Sequence, residues 1–189
     1  MNLAEFDNSG FERGAGGLKE LLWLVVRALG FSSLCPLPVY ALRRAALRIF
    51  GGAIGPGVII KPEVKITFPW KLSVGANSWL GEEAWILNLD RITIGHDVCI
   101  SQRAMLCTGS HDWSDDRFAL ITKPITIGNG VWICANVFVG PGVHIGDNAV
   151  VLAGSVVTSD LPAGMVCSGS ACKQIKPRRT REHPAKNGV

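Results

Sequence analysis

From Ile127 the chain reads IGNGVW, ICANVF, VGPGVH, IGDNAV, VLAGSV and VTSDLP, consecutive hexapeptides that each open on Ile or Val. Their fifth residues are Val131, Val137, Val143, Ala149, Ser155 and Leu161. Ile94 opens a second set (IGHDVC, ISQRAM, LCTGSH) and Ile54 a third (IGPGVI, IKPEVK, ITFPWK, LSVGAN), with two-residue offsets near Ser78 and Ile92. A period of six is neither helical nor simple strand alternation, so an internal repeat governs the fold. Each hexapeptide supplies one short strand and a corner. Three of them close a coil, and coils stack at about 4.8 Å through backbone ladders. The aliphatic first residue points inward and the fifth stays small beside the corner. Gly or Asn takes the corner angles that other residues resist. The expected fold is all-β, a left-handed parallel β-helix that departs from the right-handed crossover rule. The 22 glycines, 48% apolar and 18% charged residues in 189 suit a turn-dense scaffold with a real core.

The rhythm divides the chain. Residues 1–53 form an N-terminal segment with one or two helices: LKELLWLVVRALGF (18–31) is apolar nearly all round, and VYALRRAALRIFGG (39–52) is basic and amphipathic. Pro36 and Pro38 separate them. The first run falls short of the roughly 20 residues a bilayer span needs. The helices therefore either pack on the prism or lie in a membrane surface, with Trp23, Arg43, Arg44 and Arg48 toward lipid. Residues 54–165 form the β-helix, and 166–189 a closing strand and a tail carrying Lys173, Lys176, Arg178, Arg179, Arg181 and Lys186. The net charge of +4 is too modest to point to nucleic acid. Cysteines 35, 99, 107, 134, 167 and 172 have no CxxC or metal-finger spacing. They are read as reduced, packed thiols of a cytoplasmic protein, with the inner face of the membrane as a second location.

One interruption matters most. RITIGHDVCI (91–100) and PITIGNGVWI (124–133) are the same coil opening 33 residues apart, one coil plus an excursion over 112–124. The same arithmetic puts Trp132 one coil beyond Cys99 and His144 in the register of His111. A loop that leaves the prism without adding core is more often the wall of a site. It follows His111 and carries Asp112 and Trp113, which marks His111 as a functional imidazole, whereas His144, His96 and His183 are structural or solvent-facing. A neutral imidazole can take a proton from a weakly acidic hydroxyl. Asp112 is the nearest carboxylate to orient it, with a backbone carbonyl as the other option.

Taken together, FPWKLSVGANSWLGEEAWILNLDRITIG, CISQRAMLCTGSHDWSDDRFALITKPITIG and VFVGPGVHIGDNAV resemble the hexapeptide-repeat acyltransferases. The resemblance is strongest to the colanic acid biosynthesis O-acetyltransferase group, relatives of the maltose, galactoside and nodulation acetyltransferases. It implies acetyl-CoA as donor, no metal, and a sugar or glycan-precursor acceptor, free or lipid-linked. It also implies a homotrimer with sites between neighbouring prisms. By the same resemblance His111 is the general base, and Trp132 walls the acetyl pocket. The Ala135 N–H holds the thioester oxygen, and Ala153 and Thr158 line the cofactor track, with Lys173 and Arg178 near its adenine end. Asn88, Asp90, Asp112 and Trp113 face the acceptor. The last coil reads GSACKQIKPR where the family usually has a GNPA-type turn.

Other chemistries stay in view. A zinc enzyme on this fold needs three converging imidazoles, and no third histidine lies near His111 and His144. A non-catalytic binding prism predicts no thioester turnover. An N-acyltransferase on an amino sugar fits the same residues.

Overall fold

The computed structural model describes residues 3–6, 8–32 and 39–179; Cys35, Pro36, Pro38, Arg181, His183 and Lys186 lie outside them. The expected solenoid is present as six coils. Its first face stacks Ala53–Ile54, Leu72–Val74, Ile92–Ile94, Ile125–Ile127 and His144–Ile145 in parallel. The second stacks Ile59–Ile60, Trp79–Leu80, Cys99–Ile100, Trp132–Ile133, Val150–Val151 and Met165–Ser168, with Lys173–Pro177 returning antiparallel. The third stacks Lys65–Ile66, Trp85–Leu87, Met105–Cys107, Phe138–Val139 and Val156–Val157. Leu161 and Ser170 carry the sixth coil by single bridges to Ile145 and Val156.

The repeat explains the core residue by residue. Every inward first position, from Ile54 through Ile100 and Ile133 to Val157, is buried, and so are the small fifth positions such as Val98, Ala104 and Ser155. The fourth position of most corners has positive φ, filled by Gly57, Asn77, Asn136 or Gly154 as expected, but also by Asp97, Glu63, Glu83 and Arg103, so the corner is not confined to Gly and Asn. Between the first and second faces the corner is tightest. A Cβ on Gly75 would sit 2.5 Å from the Gly95 carbonyl carbon, so this edge stacks glycine on glycine.

Inward residues are spaced by six except between the third and first faces. There the step is eight from Ile66 to Val74 and eight from Ile86 to Ile94, and the loop falls there too. The first offset is therefore not at Ser78: Pro69–Lys71 form a short 3-10 turn, and Leu72 and Val74 both face inward. All three irregularities stack on one edge of the prism.

Helix α1 (Gly17–Gly30) and helix α2 (Tyr40–Ile49) cap the first coil. A first coil has no predecessor, so its outward carbonyls need donors. Trp23 Nε1 donates to Ile66 O at 3.0 Å, Arg43 to Gly30 O and Ile60 O, Arg44 to Val58 O, and Arg48 to Ile54 O. Trp23 and Arg43 are buried. The expectation that Trp23, Arg43, Arg44 and Arg48 face lipid is thus corrected: all four turn inward to satisfy open backbone. Among the described residues no helix is long and apolar enough to cross a membrane.

Candidate functional site

The loop leaves the coil earlier than its sequence suggests. Thr108 is the last residue in the coil, with its N–H on Leu87 O and its carbonyl accepting from Lys123 N–H. From there Gly109–His111 pairs antiparallel with Leu120–Thr122, His111 opposite Leu120. His111 therefore stands on the arm of a projecting hairpin and not at a coil corner. His144 is not in its register: it follows Thr126 on the first face, is exposed, and its N–H bonds Asp160. The thirty-three-residue spacing holds for Trp132, which pairs with Cys99 as expected, and fails only for His144, because the hairpin takes Gly109–His111 out of the coil.

The imidazole is held from two directions. Its Nδ1 lies 2.8 Å from Phe118 O, and a carbonyl can only accept, so Nδ1 carries the proton and Nε2 presents a lone pair. The Phe118 ring stacks on the imidazole at 4.1 Å and 4°, and Phe6 packs near it at 5.7 Å. Phe118 has φ +53°, unusual for a bulky residue; this conformation goes with a carbonyl and a ring both meeting one side chain. Asp112 does not orient His111. Its carboxylate accepts from Ser114 N–H and Oγ, and these bonds hold its pKa below the ordinary value. Asp115 is held likewise by Arg117. Trp113, at the tip, is 88% exposed.

Beside the hairpin the stacked irregularities enclose a cavity of about 620 Å³, lined by Phe11, Glu12, Lys71, Leu89, Asp90 and Leu120 among others. Each turn of the widened edge contributes: Lys71 from the first insertion, Leu89 and Asp90 from the second, Leu120 from the hairpin. Lys71 Nζ donates to Glu12 O and Leu89 O, and burial lowers its pKa against the opposing pull of Asp90 and Glu12. Asn88 does not reach this cavity. It is fully buried, its carbonyl accepting from Thr67 and Phe68 N–H and its amide donating to Phe68 O. It braces the edge, which corrects its placement toward an acceptor. Phe6, Phe118 and Lys71 were not singled out from sequence. Lys71 had a signal, the PWK offset, but Phe118 had none.

The other expected residues lie elsewhere on the prism. Trp132 projects from the second face, half-exposed, with Nε1 on Ser101 Oγ at 2.9 Å. Ala135 and Ala153 stack at the edge between second and third faces, where Gly154 N–H meets Ala135 O. The Ala135 N–H makes no hydrogen bond among the described residues, while its neighbours Cys134 and Asn136 both donate into the ladder. Burial pushes the Cys134 thiol up, away from thiolate character. Lys173 pairs with Ser168 near that edge. Thr158 follows the third face at the next edge, and Arg178 is spent on Gly130 O and Asn148 O at the glycine edge. One chain therefore separates His111 from Ala135 by a whole face. Among the described residues no group of three or more His, Cys, Asp or Glu is placed to hold a metal ion.

A prism of stacked hexapeptides with an imidazole on a projecting hairpin defines the class, a hexapeptide-repeat transferase, and known proteins agree. The bacterial transferase hexapeptide signature of six repeats matches residues 124–159. The chain is 44% identical over 177 residues to the colanic acid biosynthesis acetyltransferase WcaF of Escherichia coli, covering 91% of this chain and 97% of that one. A galactoside acetyltransferase solved in complex with coenzyme A superposes with a TM-score of 0.80 at 29% identity, over 95% of this chain and 92% of that one. The acetyltransferase VCA0836 of Vibrio cholerae, solved with acetyl-coenzyme A, gives 0.79 at 27%, over 88% and 92%. The chain belongs to the hexapeptide-repeat acetyltransferases.

Proposed function

We propose that the protein moves an acetyl group from acetyl-CoA to a sugar hydroxyl in the synthesis of an exopolysaccharide or other surface glycan, with His111 as general base. The observation that carries this reading is the Phe118 carbonyl on Nδ1, which leaves Nε2 as an acceptor on the hairpin whose Leu120, the residue opposite His111, lines the cavity. The acceptor lies in that cavity, where Asp90 and the Lys71 side chain offer polar contacts and Leu89 and Leu120 an apolar wall. His111 Nε2 takes the hydroxyl proton as the oxygen bonds to the acetyl carbonyl carbon. The carbon–sulfur bond then breaks, and the proton passes to the departing thiolate. The free Ala135 N–H donates to the carbonyl oxygen as charge develops there. A thioester is already activated, so neither Ser110 nor the buried Cys134 is needed as a nucleophile.

His111 and Ala135 sit on different edges of one prism, so both serve one reaction only if a second copy brings its edge alongside. A homotrimer does this at three equivalent places. The outward apolar side chains Trp79 and Trp132 on the second face, and Trp85 on the third, are the surface such an assembly covers. The relatives' names support the donor and acceptor class: two are solved with coenzyme A or its acetyl ester, and WcaF is named for an exopolysaccharide. The test is thioester cleavage with acetyl-CoA across sugar acceptors, with product mass read for an added acetyl. Turnover that appears only with amino sugars and yields amides overturns the hydroxyl assignment. No turnover with any acceptor overturns the reading altogether.

A further inference from the structure

Helix α1 is inside out for a surface helix. Its charged residues Lys19, Glu20 and Arg27 and its tryptophan turn toward the protein, and Arg27 reaches Ile66 O. The opposite side presents Leu18, Leu21, Leu22, Val25 and Leu29, each 49–73% exposed, and no charged residue. Leu42 and Ile49 of α2 extend this face at 65% and 79% exposure, with an apolar groove of about 330 Å³ between the helices. A helix pair that had only to cap the first coil would carry charge on its far side.

We infer that this face is a docking surface for an anionic lipid bilayer, in which α1 lies in the plane of the interface. The charge behind the face selects lipid over a second copy of the chain. Residues 17–49 hold five cations (Lys19, Arg27, Arg43, Arg44, Arg48) and one carboxylate, Glu20, which pairs with Arg13. Arg27, Arg43, Arg44 and Arg48 are bonded to backbone carbonyls, which orient them without neutralising them. A second copy docked face to face would bring these cations no counter-charge. An anionic headgroup layer meets the opposite sign. The cations lie about one helix diameter behind the aliphatic face, roughly 10 Å, close to a Debye length at physiological salt. Their attraction is attenuated but still felt, while the leucines supply the insertion. At 14 residues α1 is too short to span, so it binds in plane. The surface is independent of the proposed chemistry, and it holds the enzyme beside acceptors carried on lipid.

Flotation of the full chain with vesicles of phosphatidylcholine, alone or with one-third phosphatidylglycerol, tests this. The protein floats with the anionic vesicles, and binding falls several-fold in high salt. Leu22→Glu/Leu29→Glu lowers the partition coefficient by roughly tenfold or more, while circular dichroism and thioester cleavage with a soluble acceptor are unchanged. Leu18→Ser/Leu29→Ser, a milder variant, falls in between and serves if the double glutamate does not fold. The inference is overturned if the native chain stays unbound with anionic vesicles. It is also overturned if both variants float like the native chain, or if removing residues 180–189 abolishes binding that the leucine variants keep. A change of sedimentation coefficient in the leucine variants, with native flotation, assigns the face to a second copy and overturns it equally.

Discussion

At the scale of single residues, His111 and Phe118 form one unit, since the carbonyl of one fixes the proton of the other. His111→Ala should lower kcat by roughly 10²–10⁴, the usual share of a positioned base, with the KM for acetyl-CoA little changed. His144→Ala should keep most activity, because that imidazole is exposed on another face. Phe118 gives a sharper contrast. Phe118→Gly keeps a positive φ at no steric cost and so keeps the carbonyl in place, losing only the stack. Phe118→Val cannot hold φ +53° without strain and should displace the carbonyl. Steady-state kinetics should therefore rank native, Gly, Val in falling kcat; Val equal to native would show the carbonyl to be irrelevant. The pH profile separates base from loop. Hydrogen bonds to Ser114 depress the Asp112 carboxyl below its ordinary 3.8, so its stabilisation of the turn is complete above that value. That stabilisation is lost only as pH falls through the lower folded value. Above pH 3.8 the Asp112 carboxyl therefore adds nothing to the pH dependence of the rate, and the pH–rate profile of Asp112→Asn should keep its native shape there.

At the scale of elements, the helical cap is what the repeat needs at its open end. Arg43 is buried, and it satisfies two carbonyls with one Nη left unpaired. Arg43→Met should cost about 2–4 kcal/mol, because two buried acceptors lose their donor. Arg44→Met and Arg48→Met, nearer to water, should cost about 1 kcal/mol each, read from denaturant midpoints at constant m. The solenoid itself was legible in sequence because each hexapeptide repeats one physical demand: an aliphatic residue inward, a permissive residue at the corner. Where the chain departed from six, the period said that something left the coil but not from which residue. Whether Gly109–His111 belongs to the coil or to a hairpin depends on cross-strand pairing with Leu120–Thr122, a contact with no local signature. The direction of α1 and α2 was hidden for a related reason. An arginine bound to a carbonyl and an arginine bound to a phosphate look alike in a helix read alone, and only the open edge of Ile54–Ile66 decides between them.

At the scale of the whole molecule, the separation of His111 from Ala135 by a prism face makes the assembly part of the chemistry. Sedimentation should show a trimer at micromolar concentration, and a subunit-mixing experiment asks whether copies share sites. Ala135→Pro removes the free N–H, and the repeat itself shows that proline fits there. Pro56, Pro62 and Pro141 hold the equivalent third position of their hexapeptides, and the Ala135 N–H bonds nothing the coil would lose. The variant should fold and assemble while turnover falls by about 10²–10³ through loss of one oxyanion donor. His111→Ala homotrimers should be similarly deficient. In a cyclic trimer each site takes its imidazole from one subunit and its N–H from the next. A mixed trimer therefore always contains one junction where a subunit with His111 intact meets a neighbour with Ala135 intact. Random mixing of equal amounts makes about three-quarters of the trimers mixed, each with one live site in three. Activity should thus recover to about one-quarter of native on co-refolding, from two preparations each nearly inactive. Mixing that restores nothing, in trimers shown by mass to be mixed, would place both groups on one subunit or remove Ala135 from the reaction.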